Sequence, residues 1–303
     1  MGKQWDIDLA LKSKAEDSID SFQSEISIAY ALSLGLYKDP QVQKEDLKYV
    51  YELHDDFTTF PTFAATVNKT NAFWEKYFFY PGIPEFNPMN ILHGEEKLEL
   101  FKPIYPDQKY ISQGRIGDIQ DKGKNTVLKL DVYTYEYNDG KKGDLCFREQ
   151  MTIFVRGLKG SNFKGTGDHI QIPSHVPKRE HDAQWEEKTE KNQAILYRLS
   201  GDKNPLHVDS DLSQAMGYDT PILHGMNFYG LAAKAIINKF CQGDEKQLKS
   251  LAARFTGHVF PGESIVFRLW KEKDNTIIFK GIVTERQTQC IIGVAELNTQ
   301  AKL

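Results

Sequence analysis

The densest run of chemistry-bearing side chains is Tyr197-Arg198-Leu199-Ser200-Gly201-Asp202-Lys203-Asn204-Pro205-Leu206-His207. Gly201-Asp202 and Asn204-Pro205 are both turn-forming pairs. A turn presents side chains without packing them into a core. Asp202 and His207 can therefore converge on one small site, where a carboxylate and an imidazole together hold a water and move its protons. The same residues also fit a plain turn leading into a helix. Asp209 is placed to cap that helix, which should stop at Gly217. A calcium loop through His207, Asp209 and Asp211 is disfavoured, because the segment lacks the central glycine and terminal Glu of such loops. No metal is expected.

The elements that must carry this segment repeat themselves. Ile91-Leu92-His93-Gly94 recurs as Ile222-Leu223-His224-Gly225. Each copy leads to a proline, Pro106 or Pro261, and then to a strand-like run, Thr126–Tyr133 or Thr276–Val283. Three matches in one order indicate an internal duplication. The copies differ in spacing: 12 positions separate Gly94 from Pro106 and 36 separate Gly225 from Pro261, so the second copy holds 24 more. The added stretch places Phe228, Leu231, Ala232, Ala235, Ile236 and Phe240 at helical spacing, with Gly243 and Asp244 to end it. The first copy has no room for such a helix after its own His-Gly.

Strands are predicted at Thr126–Glu136, Leu145–Val155, Ser264–Trp270, Thr276–Val283 and Cys290–Leu297, separated by turns such as Asn138-Asp139-Gly140 and Lys273-Asp274-Asn275. Each half then reads as helix followed by antiparallel meander, an α+β architecture. We expect an N-terminal half over 1–156, a partly flexible linker over 157–191, and a catalytic C-terminal half over 192–303. The linker is rich in glycine, and its charged run Glu186–Lys191 is read as solvated.

The bulk properties exclude several classes. A chain of 303 residues with 26% charged residues and net charge −4 carries no basic tract, so nucleic acid is not expected as a partner. The longest apolar stretch, Ala29–Tyr37, is far short of the roughly 20 residues that span a bilayer, so no membrane partner is expected. The N-terminus lacks a secretory apolar core, and Asp6 breaks the myristoylation pattern. Cys146, Cys241 and Cys290 are odd in number and widely spaced, which reads as free thiols. No dinucleotide-binding glycine fingerprint occurs. The last residues, Ala301-Lys302-Leu303, are close to the Ser-Lys-Leu peroxisomal address, although a chance tail can end this way.

Tyr197 to Ser213 resembles the signature of type-2, R-specific, MaoC-like enoyl-CoA hydratases: Tyr, Leu, Ser, Gly-Asp-x-Asn-Pro-Leu-His, five residues and a small one, here Ser213. From about Ile28 onward the chain is similar to the hydratase part of the peroxisomal multifunctional enzymes of beta-oxidation. The resemblance implies a double hot-dog fold with a degenerate first central helix that leaves room for an acyl chain. It implies hydration of trans-2-enoyl-CoA to (3R)-3-hydroxyacyl-CoA, with no cofactor. Asp202 and His207 are implied as the catalytic pair that holds the attacking water, Asn204 as the neighbour that orients that water, and Gly225 as the backbone donor to the thioester oxygen. Gly225 also opens the predicted helix, where unpaired N–H groups favour negative charge. His93, Gly94, Lys122, Lys203, Pro205, Leu206 and Phe255 are implied as substrate contacts. The acyl-CoA substrate, a homodimer and the peroxisomal import receptor are the implied partners, and the peroxisome is the implied location. The rival readings are a hot-dog acyl-CoA thioesterase, an acyl-carrier dehydratase and a non-catalytic acyl-binding module. The intact Gly-Asp-x-Asn-Pro-Leu-His run argues against the first and the last, and the Ala-Lys-Leu tail against the second.

Overall fold

A computed structural model describes residues 4–67, 76–77 and 79–298. Alternation of apolar and polar residues builds ten strands: β1 (Ser18–Ser21), β2 (Ile91–Leu100), β3 (Lys109–Asp121), β4 (Asn125–Asn138), β5 (Lys141–Arg156), β6 (Ala183–Lys188), β7 (Leu248–Phe255), β8 (Ser264–Lys271), β9 (Thr276–Val283) and β10 (Thr288–Leu297). The predicted runs became β4, β5, β8, β9 and β10, each within a few residues. The two predicted hairpin turns hold, with Asp139, Gly140, Asp274 and Asn275 all at positive φ. Asn, Asp and Gly tolerate that region with little strain.

Strand order carries the duplication into three dimensions. The first copy runs β1-β3-β4-β5-β2 and the second β6-β8-β9-β10-β7, the same order element for element. β6 lies inside the segment expected as a solvated linker. Its residues Ala183–Lys188 alternate in burial and pair antiparallel with β8, Trp185 opposite Phe267. Its Glu187 reaches a buried lysine. A charged run had masked a period-two strand, because an edge strand can place charge on its outer face.

Packing groups the chain into two compact units that do not follow the sequence halves. The first holds Met1–Asp20, Asn68–Lys102 and Lys109–Gln171; the second holds Ser21–Val67, Pro103–Gln108 and Ile172–Leu303. In the first unit, Ile116, Leu128, Leu130, Met151, Ile153 and Val155 of the sheet pack with Tyr77, Tyr80, Ile83 and Ala10 of the six-residue helix Ile7–Lys12. No long helix covers that face among the described residues.

The second unit has one. Gly225–Phe240 forms a 16-residue helix in which every residue from Met226 to Ile237 is buried. It crosses the end of the helix Ser24–Ser33, where a side chain at Gly230 would meet Leu34 at 2.7 Å and the Tyr30 hydroxyl at 2.9 Å. Glycine permits that approach. Two polar residues of the long helix answer the unpaired carbonyls at the end of the shorter one. Asn227 donates to the Ser33 carbonyl at 3.0 Å. Lys234, 2% exposed, donates to the carbonyls of Leu34 at 2.9 Å and Gly35 at 3.0 Å and to Glu187 at 3.0 Å. A cation at a helix C-terminus meets the negative end of the dipole. Burial without these acceptors would be costly.

Cys146, Cys241 and Cys290 are free and buried. Burial raises their thiols to about 11, 12 and 12, so none is a thiolate near neutrality. No described helix is long and apolar enough to cross a membrane.

Candidate active site

The segment Tyr197–His207 folds as two short helical turns joined by an irregular bend. Gly201 has φ +142°, open to glycine and strained for other residues. The bend is held by side chains that cap their own backbone. Asp202 Oδ1 accepts from the Asn204 N–H at 3.0 Å, and Asn204 Oδ1 accepts from the Leu206 N–H at 3.1 Å. Asn204 thus caps the 3-10 turn Pro205–His207, whose first residue needs no N–H because it is proline. The predicted helix comes next as Ser210–Ala215, capped by Asp209 accepting from the N–H groups of Asp211 and Leu212, with Gly217 at φ +92° beyond its end. Ser213, the small residue of the motif, is fully buried.

This bend brings Asp202 and His207 together. Their donor atoms, with one nitrogen of His224, all lie within 4.8 Å of one another. The His207 Nδ1 donates to the Ile222 carbonyl at 2.8 Å. A carbonyl cannot donate, so Nδ1 carries the proton and Nε2 is the bare nitrogen. Burial lowers the pKa of His207, outweighing the charge of Asp202 and the Ile222 bond, which raise it. The imidazole is a neutral base near neutrality, beside a carboxylate. Such a pair can hold a water and move its protons.

His224 was missed as a site residue. It is 1% exposed, its Nε2 donates to the Asp202 carbonyl at 3.2 Å, and its ring stacks on His207 with centroids 3.7 Å apart and planes 28° apart. Tyr197 lies on it at 4.6 Å. The repeat drew attention to this histidine as a marker of duplication; its position just before Gly225 was the signal for more.

Gly225 is the first residue of the long helix, where N–H groups have no intrahelical acceptor and the dipole favours developing negative charge. A Cβ at Gly225 would stand 3.3 Å from two ring carbons of Phe255, so glycine lets the helix start pack against that ring. Phe255 ends β7 and packs edge-on against Phe228 at 5.7 Å. Lys203 and Pro205 are exposed and Leu206 half-buried on the same bend.

His93, Gly94 and Lys122 belong to the other compact unit. His93 lies in β2, its Nε2 3.1 Å from the Glu95 carbonyl and 3.0 Å from Glu96 Oε2. Gly94 is the extra residue of a bulge between His93 and Glu95. Lys122 is exposed in the tight turn between β3 and β4. The tail Ala301-Lys302-Leu303 lies outside the described residues.

Comparison with known proteins gives the family and the fold. Residues 21–157 match the MFE-2 hydratase 2 N-terminal domain, and residues 173–292 match the MaoC like domain. The chain is 38% identical over 253 residues to a probable enoyl-CoA hydratase 2 of Dictyostelium discoideum, covering 83% of this chain and 82% of that one. It is 32% identical to the peroxisomal enoyl-CoA hydratase 2 of Arabidopsis thaliana, covering 97% and 96%. It is 38% identical to the mouse peroxisomal multifunctional enzyme type 2 over 88% of this chain, and spans 35% of that longer protein. The crystal structure of a MaoC-like dehydratase from Phytophthora capsici superposes with a TM-score of 0.85 at 30% identity, over 98% and 99% of the two chains. A Mycobacterium tuberculosis protein described as a double hotdog fold shares the fold at 12% identity, with a TM-score of 0.56 over 94% and 97%. The expected double hot-dog architecture holds, and the chain belongs to the MaoC-like, type-2 enoyl-CoA hydratase family.

Proposed function

We propose that the chain adds water across the 2,3-double bond of a trans-2-enoyl-CoA to give a (3R)-3-hydroxyacyl-CoA, as a step of fatty acid beta-oxidation. The observation that carries the reading is the convergence of Asp202 and His207 beside the N-terminus of the helix that begins at Gly225. The thioester oxygen docks on the Gly225 N–H. Asp202 and His207 hold one water against C3. As its oxygen bonds to C3, a proton reaches C2 and the intervening enolate charge rests at the helix N-terminus. Asn204 acts by fixing the bend that carries both residues. Phe255, Lys203, Pro205 and Leu206 line the acyl-CoA on this side. His93, Gly94 and Lys122 of the first copy are proposed as acyl-CoA contacts on the family resemblance; that copy has no long helix after its His-Gly and is assigned to the acyl chain rather than the chemistry.

The names of the Arabidopsis and mouse relatives place those proteins in the peroxisome, and the Ala301-Lys302-Leu303 tail supports the same location here through the import receptor. A homodimer is proposed from the habit of the fold.

The test is the loss of enoyl absorbance on mixing the purified chain with trans-2-decenoyl-CoA, with chiral analysis of the product. Asp202→Ala should lose about 10²–10⁴-fold in rate. Full activity in that variant would sink the reading. Release of free CoA thiol instead of a hydroxyacyl product would make the chain a thioesterase.

A further inference from the structure

We propose that His224 is a positioning residue of the hydration site: its ring ties the Asp202 bend, the His207 imidazole and the start of the long helix into one geometry. The inference rests on the reading of Asp202 and His207 as the hydrating pair. Three contacts carry it. The His224 Nε2 donates to the Asp202 carbonyl at 3.2 Å. The ring stacks on His207 at 3.7 Å, tilted by 28°. Two residues earlier, the Ile222 carbonyl accepts a hydrogen bond from the His207 Nδ1–H at 2.8 Å. The three-residue stretch Ile222–His224 therefore holds both members of the pair, and Gly225 is its next residue. Any shift of the pair relative to the helix N-terminus must break one of these contacts.

Packing alone does not call for an imidazole here. With Nε2 donating, Nδ1 is bare, and among the described residues it has no partner. An unmet buried acceptor is a stability cost. Phenylalanine would fill the slot between Tyr197 and His207 without it. What phenylalanine lacks is the donor to Asp202. Burial, reinforced by the neighbouring His207, holds His224 down to about 3, so the ring stays neutral and keeps that one tautomer. It contributes direction rather than charge.

The experiment compares three variants of the full chain in the trans-2-decenoyl-CoA assay. His224→Phe keeps a flat ring and loses the donor. His224→Asn has a donor too short to reach the Asp202 carbonyl. His224→Gln extends an amide as far as Nε2. We expect kcat to fall about 10–100-fold in Phe and Asn, with KM within about threefold, and Gln to retain more than about a third of kcat. A merely structural role would lower the thermal midpoint and the active fraction without this split, and Gln would not rescue it. Wild-type kcat in His224→Phe overturns the inference while leaving the hydration reading intact. So does a Gln variant that folds yet falls as far as Phe. If His224→Phe does not fold, the Asn and Gln pair decides by the same criterion. A wild-type chain that does not hydrate the substrate overturns the function and this inference together.

Discussion

The tetrapeptide Ile-Leu-His-Gly occurs twice and does two different things. In the first copy it opens β2, where Gly94 is a bulge and the His93 side chain, 25% exposed, meets Glu96 at 3.0 Å. In the second copy it ends a loop and starts the 16-residue helix, and His224 is sealed between Tyr197 and His207. The four residues are identical, so their own propensities cannot explain the difference. The residues C-terminal to each copy do. Glu95–Leu100 alternates, turning Glu96 and Leu98 inward. Met226–Phe240 repeats its apolar residues at three-and-four spacing and buries nearly all of them. A short motif takes its conformation from the periodicity of its neighbours, and its chemistry from the surroundings that the resulting element faces.

That contrast can be broken or sharpened in order of expected effect. The largest separates the two copies by activity. His207→Ala should lower kcat about 10²–10⁴-fold. His93→Ala should act mainly on KM, because its proposed role is to meet the CoA ester. Steady-state kinetics on decenoyl-CoA check this, and an equal loss of kcat in both would erase the distinction.

The two glycines come next. An alanine Cβ at Gly225 would stand 3.3 Å from the Phe255 ring, and one at Gly94 would stand 3.3 Å from the Thr152 carbonyl. Gly225→Ala must push the ring or the helix start and so displace the N–H proposed as oxyanion donor. We expect kcat to fall about 10–100-fold. Gly94→Ala strains a bulge and should cost about 1 kcal/mol of stability, with its kinetic effect on KM. Urea unfolding beside kinetics separates the two, and a Gly225→Ala enzyme with unchanged kcat would remove the helix N-terminus from the mechanism.

The smallest effect is in pH. Burial lowers His224 from 6.5 to about 3 in the folded chain. Below about pH 6.5 the unfolded chain binds a proton there that the native state refuses. Stability therefore rises with pH across this window and is lost as pH falls from about 6.5 toward 3, by about 1.4 kcal/mol per unit. His207, also lowered, adds a slope of the same sign. Urea midpoints at pH 7, 6 and 5 should show a shallower dependence in His224→Gln than in wild type. Identical slopes would contradict the buried, neutral imidazole.

Much of this was legible in the residues. The duplication, the long helix, the Asp209 cap and five strands with their turns came from period, spacing and turn chemistry, which are local properties. β6 was hidden because its charges obeyed a strand period that a composition reading passes over. Asp202 and His207 could be nominated from a turn, yet a turn alone also permits two unrelated surface side chains. The helix Ser24–Ser33 gave no sign that its end would be met by Asn227 and Lys234, roughly two hundred residues away.

The sequence by itself determined that one pattern occurs twice, that only the second copy has room for a long helix after its His-Gly, and that only the second has an Asp and a His on a glycine-proline bend. The tertiary structure decided which nitrogen of His207 is bare, since that depends on the Ile222 carbonyl. It also set His224 against Asp202 and His207 while its twin pairs with a glutamate on a strand. Propensity and period act over a few residues and are written in the chain. A hydrogen bond between Asp202 and His224 depends on how two distant segments pack, and no local pattern encodes it.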